Sequence, residues 1–262
     1  MQSLDNSPPL LSVRGVGKSY GDRVALQDAS FDLWPGEVMA VVGESGSGKS
    51  TLLNTIAARS RPDAGHVEFL SRDGQMQNIY TMTEAQQRLL ARTDWGFVHQ
   101  HAADGLRMDV SAGANVGERL MGLGERHYGR LRTTAEDWLQ RVEIDPARMD
   151  DTPRTFSGGM RQRLQIARNL VTQPRLVFMD EPTSGLDVSV QARLLDLLRQ
   201  LTRQMQLAVV IVTHDLAVAR LLAHRMMVMQ RGRIVEAGLT DQVLDDPQHP
   251  YTQLLVSSVL QP

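Results

Sequence analysis

A glycine-rich segment from Gly43 to Ser50, with the sequence GESGSGKS, has the residue types of a phosphate-binding loop. It fits the pattern G-x-x-x-x-G-K-[ST], in which glycines let successive backbone N–H groups turn inward toward phosphate oxygens. Lys49 can reach the terminal phosphates of a nucleotide, and the Ser50 hydroxyl can ligate Mg²⁺. The simpler alternative is a glycine turn between a strand and a helix. Because an apolar run precedes the segment and a helical pattern follows it, we favour a nucleoside triphosphate site.

Two adjacent carboxylates, Asp180 and Glu181, follow an apolar run that begins at Leu176. Ligands of open parallel sheets collect at the carboxyl ends of the strands. Asp180 is suited to hold Mg²⁺, directly or through water. Glu181 could accept a proton from, or orient, a water that attacks the γ-phosphate. Acids after an apolar strand are common at sheet edges, but together with a phosphate loop they predict triphosphate hydrolysis.

A serine and two glycines, Ser157, Gly158 and Gly159, stand directly before an amphipathic helical pattern. The serine can cap that helix, and the glycines leave N–H groups free at its positive end. In isolation such a segment is more often a flexible helix cap. Since one triphosphate needs one phosphate loop, a second anion site in the same chain indicates the nucleotide of another subunit.

Together these segments resemble the ATP-binding cassette (ABC) family. The phosphate loop, Gln100, the serine–glycine–glycine signature, the carboxylate pair, the segment 184–187 and His214 occur in the order of that family over about residues 10–245. The resemblance implies an ATPase in which two cassettes pack head to tail. Each ATP would then lie between the phosphate loop of one cassette and the signature of the other.

The resemblance also implies a role for each matching residue. The expected contacts with ATP are Tyr20, stacking on adenine, then Gly43, Ser45, Gly46, Gly48, Lys49, Ser50 and Thr51, and, toward the nucleotide of the opposite subunit, Ser157, Gly158, Gly159 and Asp187. The expected catalytic residues are Glu181, His214 and Gln100, and the expected Mg²⁺ ligands are Ser50, Gln100 and Asp180. For Tyr20 and His214 the alternatives are a surface tyrosine and a structural histidine.

Two parts of the chain resemble different branches of the family. The tail from Gly238 to Leu255 is similar to peptide- and nickel-importer cassettes, whereas segments 99–121 and 178–198 resemble the cassette subunits of bacterial carbon–phosphorus lyase systems. The second resemblance implies docking on a soluble carbon–phosphorus lyase core, in addition to a second cassette that is either the same chain or a related ATPase subunit. An importer cassette remains the alternative, and an ATP-binding scaffold that scarcely hydrolyses ATP is a third hypothesis.

Apolar runs and helical spacing predict the elements that must position these residues. The predicted strands are 10–13, 30–33, 38–42, 95–98, 176–179 and 208–213, and the predicted helices are 50–58, 160–171 and 189–204. Their alternation predicts a mostly parallel sheet that is covered on both faces. The resemblance adds a small antiparallel β subdomain and a helical insertion, so the expected fold class is α/β, a P-loop NTPase of the ABC type.

The expected domain organisation is a single ABC ATPase domain over residues 10–262 after a flexible lead-in at 1–9. Within that domain we expect a catalytic core at 10–100 and 159–245, an inserted helical subdomain at 101–158 and a C-terminal tail at 246–262.

Composition excludes several other classes of protein. The 262 residues contain 28 Lys+Arg against 30 Asp+Glu, and the resulting charge of −2 does not favour a bulk electrostatic grip on nucleic acid. The absence of cysteine excludes disulfides and thiolate metal sites. The first residues do not have the pattern of a secretory signal, and the apolar runs are far shorter than the ~20 residues of a membrane span. We therefore expect a cytoplasmic protein without nucleic-acid binding or direct membrane insertion.

Overall fold

Residues 8–259, which are the part of the chain described by the computed structural model, form two β-sheets with helices around them. Most of the predicted lead-in and residues 260–262 of the predicted tail lie outside the described residues. The strands are β1 (Leu11–Tyr20), β2 (Arg23–Leu33), β3 (Val38–Val42), β4 (Ala64–Leu70), β5 (Met76–Asn78), β6 (Trp95–Val98), β7 (Leu176–Asp180), β8 (Ala208–Val212), β9 (Arg225–Gln230) and β10 (Arg233–Leu239).

The helices lie between and after these strands. They are α1 (Lys49–Ile56), α2 (Glu84–Thr93), α3 (Ala102–Gly105), α4 (Ala112–Gly122), α5 (Tyr128–Arg141), α6 (Gly158–Leu170), α7 (Val188–Met205), α8 (Leu216–Leu222), α9 (Thr240–Asp245) and α10 (Pro250–Val259). Short 3₁₀ turns at Pro146–Arg148 and Pro153–Thr155 connect α5 to α6.

The larger sheet has the strand order β10-β9-β3-β8-β7-β6. The pairs from β9 through β3, β8 and β7 to β6 are parallel, and β10 adds an antiparallel edge to β9. The smaller sheet has the order β2-β1-β4-β5 with antiparallel pairing. The mostly parallel sheet predicted from the alternation of strands and helices is therefore confirmed, as is the small antiparallel sheet.

The strand β3, which leads into the phosphate loop, is buried along its whole length. Val38, Ala40 and Val42 belong to one hydrophobic core, which includes residues of α5, α6 and α7. Met39 and Val41 belong to a second core, which is shared with α1 and the smaller sheet. Because successive side chains of a strand point to opposite faces, a strand covered on both sides has a continuous apolar sequence.

Side-chain caps set the start of several helices. Thr83 and Gln86 form a capping box at α2, the Ser111 hydroxyl accepts a hydrogen bond at the start of α4, and the Ser157 hydroxyl does so at the start of α6. Each cap gives an acceptor to a backbone N–H that has no partner within the helix. The cap at Ser157 is the one predicted from the sequence.

The segment predicted as a helical insertion contains α3, α4 and α5. Val116 of α4 and Trp138 and Leu139 of α5 are buried in the same core as the apolar face of α6. This packing holds the start of α6, and with it the signature residues, at a defined place on the surface.

Among residues 8–259, no helix is both long enough and apolar enough to cross a bilayer.

Candidate nucleotide-binding site

The phosphate loop (Gly43–Ser50) runs from the end of β3 to the start of α1, and its shape depends on glycine at two positions. Gly43 has φ +148°, and a Cβ there would lie 2.3 Å from the carbonyl oxygen of Met229. Gly48 has φ +106°, and a Cβ there would lie 2.5 Å from the carbonyl oxygen of Ala25. Only glycine combines these backbone angles with so close an approach to another backbone segment.

Gly48→Ala is expected to lower the free energy of unfolding by about 2–4 kcal/mol, because it adds both backbone strain and a clash with a carbonyl. The matched control is Gly74→Ala, where φ is +84° but a Cβ meets nothing within 4 Å. That variant adds backbone strain without a clash, so its free energy of unfolding should fall by only about 1–2 kcal/mol. Urea titration of both variants measures the difference, and equal losses would contradict the role of the close approach.

Lys49 is 5% exposed and lies against its own loop. Its Nζ donates hydrogen bonds to the carbonyl oxygens of Gly43 at 2.7 Å and Glu44 at 2.8 Å. Burial lowers the pKa of Lys49 from its ordinary 10.5, although the nearby carboxylates of Glu181 and Asp180 act in the opposite direction. The carbonyls therefore hold the ammonium group in place at the base of the cleft described next.

A cleft of about 560 Å³ opens over the phosphate loop and the carboxyl ends of the parallel strands. Its lining residues come from the loop, from α1 and from the segments that follow β6, β7 and β8: Ser45, Gly46, Gly48, Lys49, Ser50, Thr51, Gln100, Glu181 and His214. Most of the predicted nucleotide and catalytic residues thus meet in one cavity. Gly43 is not among these lining residues, and its carbonyl accepts a hydrogen bond from Lys49 Nζ.

Glu181 lines this cleft and is in contact with two other lining residues. Gln100 Nε2 donates to Glu181 Oε2 at 3.2 Å, and His214 Nδ1 lies 3.1 Å from Glu181 Oε1. Gln100 Nε2 also donates to the Ser184 hydroxyl at 3.2 Å. The backbone φ of Glu181 is +41°, in the left-handed region, and strain of this kind concentrates at functional sites. The carboxylate is therefore held on both sides, in an orientation toward the cavity.

Asp180 is the last residue of β7 and directly precedes Glu181 in the chain. Its Oδ1 accepts from the Ser50 hydroxyl at 3.4 Å, a long contact. Burial, followed by the charge of Glu181, raises the pKa of Asp180 above its ordinary 3.8. The site thus holds a carboxylate whose charge is poorly compensated by its surroundings.

The oxygen atoms of this site fit a magnesium ion that is shared with phosphates. Ser50 and Asp180 bring a hydroxyl and a carboxylate together, and Gln100 adds an amide group at the same cleft. Across residues 8–259 no cluster of three or more His, Cys, Asp or Glu side chains could form a metal site by itself. Mg²⁺ prefers few protein oxygens and takes its other ligands from water and phosphates, so the small set of protein donors found here fits that ion.

Asp180→Asn is expected to stabilise the protein in the absence of added nucleotide and Mg²⁺. A carboxyl group whose pKa is raised by folding binds more protons in the folded state, so stability falls as the pH rises above the ordinary 3.8. The variant should therefore have the higher free energy of unfolding at pH 7 in urea titrations. The advantage should shrink as the pH falls toward 4, and an advantage that does not change with pH would contradict the assignment.

The signature residues lie at the start of α6, outside the cleft of their own chain. Ser157 and Gly158 are exposed, and the Ser157 hydroxyl accepts from the Met160 N–H at 3.3 Å. Gly159 is packed so closely against α7 that a Cβ would lie 2.4 Å from Val190 Cγ1. Asp187, exposed at the start of α7, is therefore near the signature and is not among the residues that line the cleft within 8–259.

Tyr20 ends β1 and is also absent from the cleft lining of the described chain. Its side chain is 54% exposed, its hydroxyl lies 3.4 Å from the Ser60 Oγ, and the Lys18 ammonium is 5.6 Å from the ring centroid. The ring is thus accessible for stacking, and this geometry is also that of an ordinary surface tyrosine.

Comparison with known proteins establishes the family. A family model described as "ABC transporter" matches residues 26–184, which is more than half of the chain. This chain belongs to the ABC family of ATPases. Two further models match parts of this ABC cassette: an AAA domain described as a putative AbiEii toxin of a type IV toxin–antitoxin system, at residues 152–220, and the C-terminal region of oligopeptide/dipeptide transporters, at residues 235–262.

Curated relatives of this ABC cassette include proteins named for phosphonate utilization and proteins named for peptide import. The putative phosphonates utilization ATP-binding protein PhnK of Escherichia coli (strain K12) is 65% identical over 253 residues, which cover 97% of this chain and 98% of the relative. A putative peptide import ATP-binding protein of Brucella ovis is 36% identical over 97% of this chain and 80% of the relative.

Solved structures of other cassettes superpose on this one. The cassette MJ0796, described as a dimer in a post-hydrolysis state bound to ADP and Pi, has a TM-score of 0.78 and 29% identity over 88% of this chain and 98% of that chain. CbiO1 from Clostridium perfringens, part of the transporter complex cbiONQ, has a TM-score of 0.80 and 25% identity over 92% of each chain. The cassette fold expected from the sequence is therefore confirmed.

Two buried glutamines of this ABC cassette were not predicted as part of its site. Gln162 and Gln165 of α6 both donate to the carbonyl of His99 at 3.2 Å, and Gln165 Oε1 accepts from the His99 N–H at 2.6 Å. They join the helix that begins at the signature to the residue before Gln100. The sequence did contain a signal for them, because two polar residues that are three positions apart on the apolar face of a helix need hydrogen-bond partners in the interior.

Proposed function

We propose that this ABC ATPase closes as a pair of cassettes around ATP and that hydrolysis drives a conformational change in a soluble carbon–phosphorus lyase core. The observation that carries the cellular role is 65% identity to the E. coli PhnK protein over nearly the whole of both chains. The name of that relative refers to phosphonate utilization, and the predicted resemblance of segments 99–121 and 178–198 supports the same branch. A cytoplasmic location is part of the proposal, because a soluble partner and the use of ATP favour it.

The phosphate loop and Lys49 are proposed to bind the phosphates of ATP. Loop N–H groups and the start of α1 provide donors and a positive helix end, which favour an anion. Ser45, Gly46, Gly48, Ser50 and Thr51 line the same cleft and are proposed to contact the nucleotide. Tyr20 is proposed to stack on adenine, for which its exposed ring is suited.

Glu181 is proposed to accept a proton from, or orient, the attacking water. Contacts with Gln100 and His214 hold its carboxylate toward the cleft, so no reorientation is needed before the reaction. His214 is also proposed to hydrogen-bond the γ-phosphate. Ser50, Gln100 and Asp180 would hold Mg²⁺, which when bound neutralises charge on the phosphate oxygens.

The partner cassette is proposed to complete each site with Ser157, Gly158 and Gly159, while Asp187 lies at the crossing between subunits. Exposure of the first two residues, away from the cleft of their own chain, supports this arrangement. The dimeric description of MJ0796 supports it as well. The partner is a second copy of this chain or a related ATPase subunit, and segment 101–158 is proposed to be the helical subdomain between the two parts of the core.

Affinity capture tests the cellular role. The tagged full-length chain is isolated from cells grown on a phosphonate as the phosphorus source, with and without a non-hydrolysable ATP analogue, and Lys49→Ala serves as the control. We expect soluble lyase subunits in the wild-type sample, in amounts that depend on the nucleotide and fall with the variant. Co-purification of membrane-spanning subunits, with no soluble lyase subunits, would contradict the proposal.

That contrary result would support the second candidate, an ATP-binding subunit of a peptide- or nickel-type importer. The observation in its favour is the match of residues 235–262 to the C-terminal region of oligopeptide/dipeptide transporters. The 36% identity to peptide import proteins is consistent with it but is well below the 65% found for the phosphonate relative.

A further inference from the structure

The C-terminal helix of the described chain touches the phosphate loop. Tyr251, in the first turn of α10, is 7% exposed, and its hydroxyl accepts a hydrogen bond from the backbone N–H of Glu44 at 3.1 Å. This contact joins the tail of the chain to the second residue of the phosphate loop. None of the roles proposed above involves the tail, so they do not explain this contact.

The peptide unit between Gly43 and Glu44 is held at both ends. Its N–H donates to the Tyr251 hydroxyl, and its carbonyl, that of Gly43, accepts from Lys49 Nζ at 2.7 Å. Because a peptide unit is planar, turning its N–H also turns its carbonyl. The Tyr251 hydroxyl thus helps to fix the orientation of the carbonyl group that binds the Lys49 ammonium.

Tyr251 is itself placed by hydrogen bonds from the segment before α10. The carboxylate of Glu236, in β10, accepts from the backbone N–H groups of Gln248 at 2.8 Å and His249 at 3.0 Å. His249 Nδ1 then accepts from the Tyr251 N–H at 3.1 Å. Hydrogen bonds that fix both the strand connection and the first turn of the helix leave the tyrosine ring little freedom.

We propose that Tyr251 is a positioning residue of the nucleotide site, which orients the Gly43–Glu44 peptide so that Lys49 is presented to the phosphates of ATP. The proposal rests on the phosphate-binding role proposed for Lys49. The tail then supports the phosphate loop of its own chain. The segment from His249 to Tyr251 does this without any contribution from a partner.

Tyr251→Phe in the full-length chain tests the proposal, because it keeps the buried ring and removes only the hydroxyl. Loss of one buried hydrogen bond is expected to raise the Kd and KM for ATP about three- to tenfold. The kcat at saturating ATP should stay within about twofold, since Glu181 and its partners are untouched. Hydrogen exchange at the Glu44 amide, followed by NMR, should become faster.

The matched control is Tyr128→Phe, which removes the hydroxyl of a tyrosine that is 73% exposed on α5. It should leave the ATP affinity and the Glu44 exchange rate unchanged. If Tyr251→Phe does not fold, Glu236→Gln provides the second variant, because it weakens the anchor of α10 and keeps the hydroxyl. It should change affinity and exchange in the same direction by a smaller factor.

Wild-type ATP affinity and wild-type protection of the Glu44 amide in Tyr251→Phe would overturn this inference, as would a lowered kcat with unchanged affinity. Failure of the wild-type chain itself to bind ATP would overturn the proposed function and, with it, this inference. Measuring the wild type and the variant side by side therefore distinguishes the two failures.

Discussion

Replacing Glu181 with Gln is expected to lower steady-state ATP hydrolysis by about 10²–10⁴-fold while ATP binding persists. The carboxylate lies between Gln100 and His214, at 3.2 and 3.1 Å, and faces the cleft over the phosphate loop. Glutamine has nearly the same shape, so it fills the same space, but it cannot accept a proton from water. Phosphate release at saturating ATP and an ATP titration measure the two effects separately.

The closed pair of cassettes should accumulate in this variant, because nucleotide enters the site and is not consumed. Size-exclusion chromatography with ATP and Mg²⁺ should therefore detect a larger fraction of pairs than in the wild type. Glu136→Gln, at an exposed position of α5, is the control for loss of a carboxylate and should behave as the wild type does. Hydrolysis by Glu181→Gln at the wild-type rate would remove this residue from the mechanism.

Lys49→Ala is expected to weaken ATP binding by about 10–100-fold, the effect of losing charge-assisted hydrogen bonds to phosphate. Lys49 is buried at the base of the cleft, where carbonyls of Gly43 and Glu44 hold it. The protein should stay folded, because burial already opposes the charge of this side chain and lowers its pKa. Calorimetric titration with ATP and Mg²⁺ measures the affinity, and a urea titration checks the fold.

A cationic residue far from the cleft provides the control for this second variant. Arg141 pairs with Asp137 on the surface of α5, so Arg141→Ala removes one positive charge without touching the site. Its ATP affinity should equal that of the wild type within about twofold, since such surface charges are screened. An unaltered affinity in Lys49→Ala would contradict the assignment of the phosphate loop.

The strands with continuous apolar sequence were predicted well, while methionine-rich and mixed strands were missed. The bounds of β3 and β6 agree with the prediction, because few alternatives fit a short apolar run that ends in a loop pattern. The strand β9, with the sequence RMMVMQ, was not predicted, and neither were β4, β5, β10, α2, α8, α9 and α10. Methionine packs in many environments, so its pattern does not indicate a strand. This segment is a strand because it pairs in parallel with β3, which places Arg225 opposite Met39 and Val228 opposite Val42.

The sequence predicted which residues form the catalytic side of the cleft, but it did not predict how they are arranged relative to one another. Gln100, Glu181 and His214 each follow a predicted strand, and the carboxyl ends of parallel strands meet at one edge of a sheet. Which of them lies in the middle depends on the strand order β8-β7-β6, which is a property of the sheet as a whole. That order puts Glu181 between the other two.

The residue sequence by itself determined the phosphate loop, the carboxylate pair and the capped signature helix, because each depends on residue types at short, fixed spacing. The order of these segments along the chain carried the resemblance to the family. The tertiary structure alone decided which side chains hold Glu181 and which residue supports the phosphate loop. The hydrogen bond between Glu44 and Tyr251 joins positions 207 residues apart. No local preference can specify such a contact, because it exists only after β10 and the segment behind it have packed against the sheet.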